Sequence, residues 1–285
     1  MNVDRLLQWP FRDVVQAYTT RDSLLYALSV GFGADPTDAR QLRYVFEKDL
    51  AAAPSMAVVL GHPGPWVTDP AAGIDYRKIV YAEQALEMHG VLPPQASIRA
   101  RERVIGIIDK GRDKGTLLRT ERRIVDHQSG EPLATLRATL MCRGDGGCGT
   151  AYGETVPLRE MPATAPERVA EMPTLPQSAL IYRLNGDMNP LHADPHLARQ
   201  LGFERPILHG LCSLGVAMHA VLKLWCNYDA ALLKTFNARF SAPVYPGETL
   251  VVETWRIGPT VSFRALVKER GVKVLDYGFA ELAAA

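Results

Sequence analysis

Residues Asn185-Gly186-Asp187-Met188-Asn189-Pro190-Leu191-His192 put a carboxylate, an amide and an imidazole on one short segment flanked by apolar sequence. Gly186 and the Asn189-Pro190 step both disfavour regular helix, the glycine through backbone freedom and the proline by pushing its predecessor towards extended geometry. A turn here lets Asp187 and His192 converge on one point, where such a pair can hold a water molecule and move its protons. Asn189 could orient Asp187 or the water, and asparagine before proline is also an ordinary turn choice. His192 alone would read as a turn histidine bonded to a carbonyl.

The elements that position this segment are legible on either side. Asp194-Pro195 has the form of an N-cap followed by proline at the first helical position, which predicts a helix from His196 to Leu201 closed by Gly202 and a structural part for Asp194. The stretch Ala193-Asp194-Pro195-His196-Leu197-Ala198-Arg199-Gln200-Leu201 has a near copy at Ala34-Asp35-Pro36-Thr37-Asp38-Ala39-Arg40-Gln41-Leu42, with only the two positions after the proline differing. Upstream, Leu24-Leu25-Tyr26-Ala27-Leu28 matches Leu180-Ile181-Tyr182-Arg183-Leu184, each after a threonine suited to helix capping, near Thr19 or Thr20 and near Thr174. The chain reads as an internal duplication. Between the matching blocks the first copy has only Ser29-Val30-Gly31-Phe32-Gly33, so it has lost both Asp and His.

Composition agrees with two packed units: 285 residues is about twice one ordinary domain, and 47% hydrophobic content is that of a soluble globular protein. A formal charge of +1 without a basic run gives no reason to expect nucleic acid, and no apolar stretch suggests a membrane helix. Met1 to Arg12 lacks a signal-peptide pattern. Cys142, Cys148, Cys212 and Cys226 have neither CxxC spacing nor a metal-type histidine pair beside them, and read as reduced and non-ligating. No metal and no cofactor is expected. Cys212, near the candidate site, reads as a buried thiol.

The proline-rich segment from Glu160 to Pro173 reads as a linker, which divides the chain into units of 1–160 and 165–285. Before it, Ser97 to Ile108, Thr116 to Asp126 and Pro132 to Cys142 alternate apolar and polar residues as an antiparallel meander does. After the motif, an apolar run from Leu208 to Trp225 precedes strand-like segments at Lys234 to Pro243, Thr249 to Ile257, Val261 to Lys268 and Lys273 to Leu282. The run is apolar nearly all round, which implies a helix wrapped on most sides. Each half thus reads as helix first and sheet afterwards, the sheet curled around a central helix.

The stretch Tyr182 to His192, followed by Gly202-Phe203 and Pro206-Ile207-Leu208-His209-Gly210-Leu211-Cys212, resembles the MaoC-like, type 2 enoyl-CoA hydratases. Tyr18-Thr19 to Gly31, Asp109-Lys110-Gly111 and Arg239 to Thr249 are similar to that family's double-hot-dog members, so the resemblance spans the chain. It implies an α+β tandem hot dog fold and a cytoplasmic, cofactor-free hydro-lyase of fatty acid metabolism and beta-oxidation. The reaction implied is reversible hydration of trans-2-enoyl-CoA to (3R)-3-hydroxyacyl-CoA. Its partner is an acyl-CoA thioester, with neither nucleic acid nor membrane, and hot-dog families commonly self-associate, so a homodimer is one assembly to test.

By the same resemblance, Asp187 and His192 hold the attacking water, with Asn189 beside them. Gly210, at the start of the long helix, offers an N–H to the thioester oxygen, and by itself could equally be a packing glycine. Lys110 and Phe240 are implied substrate contacts, although a solvated turn lysine and a core phenylalanine are the plainer readings. His209 could line the pocket or cap the helix. Where the family usually carries His-Gly-Glu-Gln, this chain has Tyr81-Ala82-Glu83-Gln84, and Gly146-Gly147-Cys148-Gly149 stands where Gly-Gly-Phe-Gly is usual. Tyr81 and Ala82 therefore bear on substrate choice. A hot-dog thioesterase and a hydratase for a branched, dicarboxylic, steroid-side-chain or carrier-bound acyl group are the alternatives.

Overall fold

The structure is a computed structural model that describes residues 1–149, 151–153 and 158–283. The ends of the two expected units take in Thr150, residues 154–157 and residues 284–285, which lie outside the described residues. In chain order the helices are α1 (Val3–Leu7), α2 (Thr20–Ser29), α3 (Ala39–Leu42), α4 (Ser178–Tyr182), α5 (Pro195–Gln200) and α6 (Gly210–Trp225). The strands are β1 (Val14–Tyr18), β2 (Ile79–Met88), β3 (Ala96–Asp109), β4 (Thr116–Asp126), β5 (Pro132–Cys142) and β6 (Ala151–Tyr152) before the second repeat. They continue as β7 (Arg168–Pro173), β8 (Leu233–Phe240), β9 (Thr249–Ile257), β10 (Thr260–Val267) and β11 (Val272–Leu282).

All eleven strands form one sheet in the order β1-β3-β4-β5-β2-β8-β11-β10-β9-β7, with β6 against β3. Every pairing is antiparallel, and the halves are joined where β2 meets β8, from Glu83 opposite Arg239 to Glu87 opposite Thr235. The seven strands read from alternation before and after the motif are the observed ones to within three residues at their ends, because one face of each packs on the core.

The long helix α6 starts at Gly210, and every residue from Cys212 to Leu222 is buried, as an all-round apolar surface requires. It packs on β7, β8, β9 and β11. The first half's counterpart is much shorter, a six-residue 3-10 helix at Pro54–Val59 that packs on β2, β5, α2 and α6. Gly61 ends this segment with φ of 61° and comes so close to β3 that an added Cβ would lie 2.2 Å from the Ala100 Cβ. Pro63 and Pro65 then forbid its continuation as helix.

Two local expectations are corrected, and one difference between the near-identical stretches emerges. The segment Glu160 to Pro173 is not linker throughout: its last six residues are β7, paired with β9, because Ala170 and Met172 alternate inward. Thr174 does not cap α4, whose N-cap is Gln177; its hydroxyl donates instead to the Glu248 carbonyl. In the first copy, α3 starts at Asp38 and not at Asp35, since Asp38 accepts from the Arg40 N–H and pairs with the Arg40 guanidinium. Asp194 caps α5 as read, accepting from the N–H groups of His196 and Leu197.

Candidate active site

The Asn185–His192 segment is held open by its own short bonds. Gly186 adopts a φ of 116°, which ends the 3-10 turn Arg183–Asn185 and favours glycine. The Asp187 carboxylate accepts from the Asn189 N–H at 3.2 Å, and the Asn189 side-chain oxygen accepts from the Leu191 N–H at 3.1 Å. Asn189 therefore orients Asp187 through its backbone while its side chain caps the Pro190–His192 turn.

His192 is 8% exposed, and its Nδ1 lies 2.9 Å from the Ile207 carbonyl. A carbonyl only accepts, so the proton sits on Nδ1 and the lone pair on Nε2. Burial lowers the pKa of His192, against the raising effects of the Ile207 carbonyl and the Asp187 carboxylate, and the ring is neutral at pH 7. His209 occupies the N-cap position of α6 without capping it. Its ring stacks on His192 at 3.6 Å between centroids, and its Nε2–H donates to the Asp187 carbonyl at 3.1 Å. Burial, and then the neighbouring His192, hold its pKa down. Tyr182 closes the far side of His209 at 5.0 Å.

Asp187, His192 and His209 bring one ligating atom each within 4.8 Å of one another. The two imidazoles lie only 25° from parallel, and each has one ring nitrogen bonded to a carbonyl, which leaves Nε2 of His192 and Nδ1 of His209 as the uncommitted nitrogens. That geometry suits a hydrogen-bonded water. Gly210 is the first residue of α6, where the N–H groups lack intrahelical partners. A Cβ there would lie 3.2 Å from the Phe240 ring, so glycine is what lets the ring and the helix start share this space. Cys212 is fully buried behind them, and burial pushes its thiol pKa up, as expected of an inert thiol.

These groups open on a cavity of about 990 Å³ between the halves. Asp187, Asn189, His192, His209, Gly210 and Phe240 line it from the second half. Tyr81 lines it from the first, its ring edge-on to Phe240 at 5.7 Å and its hydroxyl donating to Gln84 at 2.6 Å. Ala82 falls at a bulge in the β2–β5 pairing and so turns to an adjoining recess of about 320 Å³. Lys114, Arg143 and Arg239 face that recess. Lys110 is not among the lining residues of either space. It is exposed in the β3–β4 turn, whose base it closes by donating its backbone N–H to the Gly115 carbonyl. The departure at Gly146–Gly149 sits beside this turn, where the Asp109 carboxylate accepts from the N–H groups of Gly111, Gly147 and Gly149.

Sequence reading missed Tyr182, Gln84, Lys114 and the pair Glu102 and Arg122, all on the cavity or recess walls. Tyr182 and Gln84 lay inside motifs already quoted, and the last pair left a signal of its own: both are charged residues at even-numbered positions of β3 and β4, which face inward.

A family model described as the MaoC like domain matches residues 158–277, and one described as the MFE-2 hydratase 2 N-terminal domain matches residues 16–144. The chain is 36% identical to "Enoyl-CoA hydratase 2, peroxisomal" of Arabidopsis thaliana, over 96% of this chain and 93% of that protein. The crystal structure of a MaoC-like dehydratase from Phytophthora capsici superposes with a TM-score of 0.88 at 34% identity, covering 100% of both chains. A Mycobacterium tuberculosis protein described as having a double hotdog fold gives a TM-score of 0.57 at 15% identity, over 96% of this chain and 94% of that one, and supports the fold alone. The two halves, the sheet they share and these similarities agree that the chain belongs to the MaoC-like, enoyl-CoA hydratase 2 family of double hot dog proteins.

Proposed function

We propose that this chain is an R-specific enoyl-CoA hydratase, adding water reversibly to trans-2-enoyl-CoA to give (3R)-3-hydroxyacyl-CoA in fatty acyl-CoA metabolism. The observation that carries the reading is the neutral His192, with its proton fixed on Nδ1, beside the Asp187 carboxylate at one end of a cavity large enough for an acyl thioester. Water held by the two loses a proton to Nε2 as its oxygen bonds to C3. The π electrons move onto the thioester oxygen, where the Gly210 N–H and the α6 dipole receive the charge, an interaction worth roughly 3 kcal/mol. Protonation of C2 on the same face by the Asp187–His192 pair returns the electrons and leaves no net proton change.

The unit of residues 165–285 supplies this chemistry and the unit of 1–160 the facing acyl wall, with Tyr81 and Phe240 meeting across the cavity. Lys114, Arg143 and Arg239, beside Ala82, are the cations suited to the anionic end of CoA, a part that falls to them in place of Lys110. No helix among the described residues is long and apolar enough to cross a membrane. We assign the enzyme to the cytoplasm, to be tested by fractionation against the peroxisome named for the Arabidopsis relative, and a homodimer, to be tested by light scattering.

The deciding experiment follows loss of conjugated-enoyl absorbance on trans-2-enoyl-CoA, with product stereochemistry and free thiol measured together. Hydration to the (3R) product without thiol release is expected. Thiol release would replace the reading with a thioesterase.

A further inference from the structure

The inward row of the first half's sheet is interrupted at one rung. β3 and β4 pair with Ala100 opposite Ile124, Glu102 opposite Arg122 and Val104 opposite Thr120. A face packed on a core is expected to be apolar, and Ile98, Ala100, Leu118 and Ile124 of this row are buried and apolar. Glu102 and Arg122 place a charged pair in that row, on the wall of the same cavity that holds Asp187 and His192.

The pair is incompletely satisfied. Arg122 is 6% exposed, and its Nη1 and Nη2 donate to the carbonyls of Leu60 and Val58 at 3.0 and 3.1 Å, which anchors the short 3-10 helix. Its buried Nε has no hydrogen-bond partner among the described residues, because the nearest Glu102 oxygen is 3.6 Å away, beyond hydrogen-bond length. Of the polar groups on the same wall, the Gln84 amide is already committed, donating to the Ala85 and Arg137 carbonyls and accepting from Tyr81, and His62 Nδ1 accepts from the Gly64 N–H. One buried N–H without a partner and one carboxylate thus sit together in the cavity wall.

The position is that of an acyl tail. Glu102 on β3 is three strand spacings from β2, roughly 14 Å at about 4.8 Å each, and its rung meets β2 at Leu86, five residues along the strand from Tyr81. Tyr81 lies within electrostatic reach of Asp187 on one side and of Arg122 and Glu102 on the other. A methyl terminus gives this pair nothing, and a carboxylate is repelled by Glu102. A hydroxyl both accepts from Nε–H and donates to the carboxylate.

We propose that Arg122 and Glu102 form a hydroxyl-recognising subsite at the remote end of the acyl cavity, so that the substrate class is enoyl thioesters carrying an alcohol far from the reacting double bond. The substrate assignment rests on the hydratase reading, but the subsite can be tested without turnover. Affinities of saturated acyl-CoAs of graded length are measured by calorimetry, each with a methyl, hydroxyl or carboxyl terminus. At the length that reaches the pair, the hydroxyl should tighten binding about tenfold over methyl, equivalent to about 1.4 kcal/mol. Glu102→Gln keeps both carbonyl bonds of Arg122 and removes the negative charge, so preference should move from hydroxyl to carboxyl. The double variant Glu102→Leu/Arg122→Met, of a kind that buried ion pairs often tolerate, should prefer methyl. Equal affinities at every length, or a hydroxyl preference that survives both variants, would overturn the subsite. Hydration of plain trans-2-enoyl-CoA by the same preparation reports separately on the hydratase reading.

Discussion

The loop Ser29–Gly33 and its longer counterpart Asn185–His192 approach α6 and its N-cap in the same way and end in opposite chemistry. Each follows a helix carrying a buried tyrosine, Tyr26 and Tyr182, whose rings lie 6.0 Å apart. Each then lays a ring on a histidine of the α6 segment and gives it a carbonyl. Phe32 stacks on His219 at 3.9 Å, and His219 Nδ1 reaches the Val30 carbonyl at 3.2 Å. His192 stacks on His209 at 3.6 Å, and His209 Nε2 reaches the Asp187 carbonyl. Where the first copy has Phe32 and Val30, both buried, the junction is sealed. The three extra residues of the second copy, with an aspartate and a histidine, open the same junction into a cavity. The docking scaffold is common to both; the chemistry depends on what the inserted turn presents.

The largest effect should come from the open copy. His192→Ala removes the base at Nε2 and is expected to lower kcat of the folded fraction by about 10²- to 10⁴-fold. The matching change in the sealed copy, Phe32→Ala, should do the reverse, costing about 3–5 kcal/mol of stability while kcat of the folded fraction stays near wild type. Denaturant titration and enoyl-CoA turnover on both proteins decide this, and a Phe32→Ala enzyme with intact stability and lost turnover would break the comparison.

Acid should separate the two histidine junctions by readout. Burial lowers His219 to about 4, against an ordinary value near 6.5. Below 6.5 the unfolded chain takes up a proton that the folded chain refuses, so stability is present above pH 6.5 and falls as pH drops towards 4, by about 3 kcal/mol from this residue. His219→Leu should reduce that slope by this residue's share in urea titrations across the window, the buried His62, His192 and His209 supplying the rest. His192 also has a lowered pKa and must be neutral to accept a proton, so kcat/KM should hold at neutral pH and fall as acid protonates it.

Gly210→Ala tests the oxyanion site with a smaller change. The new Cβ would press on the Phe240 ring at 3.2 Å, and the ring must yield by a few tenths of an ångström. A loss in kcat/KM of about tenfold, or about 1.4 kcal/mol, is expected from steady-state kinetics, with less change in affinity for a saturated acyl-CoA.

Where a residue's part follows from its neighbours in the chain, the sequence was a sufficient guide: the strands came from two-residue alternation, α6 from its apolar surface, and the Asp187–His192 turn from glycine and proline. What depended on register between distant strands was not legible. Nothing local distinguishes Lys110 from Lys114, yet only Lys114 faces the recess, because the turn's closing bond fixes which lysine points inward. Ala82 is separated from Tyr81 by a bulge that alternation does not announce. Glu102 and Arg122 broke the alternation visibly, but their facing one another follows only from the β3–β4 pairing.

The smallest effect comes from the near-identical nine-residue stretches. Asp194 and Asp35 precede the same proline, but only Asp194 caps a helix, since two residues that differ between the copies include Asp38, which takes over the cap in the first. Asp35 instead bonds Thr37 in an exposed turn. Asp194→Ala should therefore cost about 1 kcal/mol, because a helix cap is lost next to the reacting turn. Asp35→Ala should leave the melting temperature unchanged, whereas Asp38→Ala should lower it. Equal melting temperatures for the Asp194 and Asp35 variants would mean that sequence identity, and not the displaced cap, governs how the two copies fold.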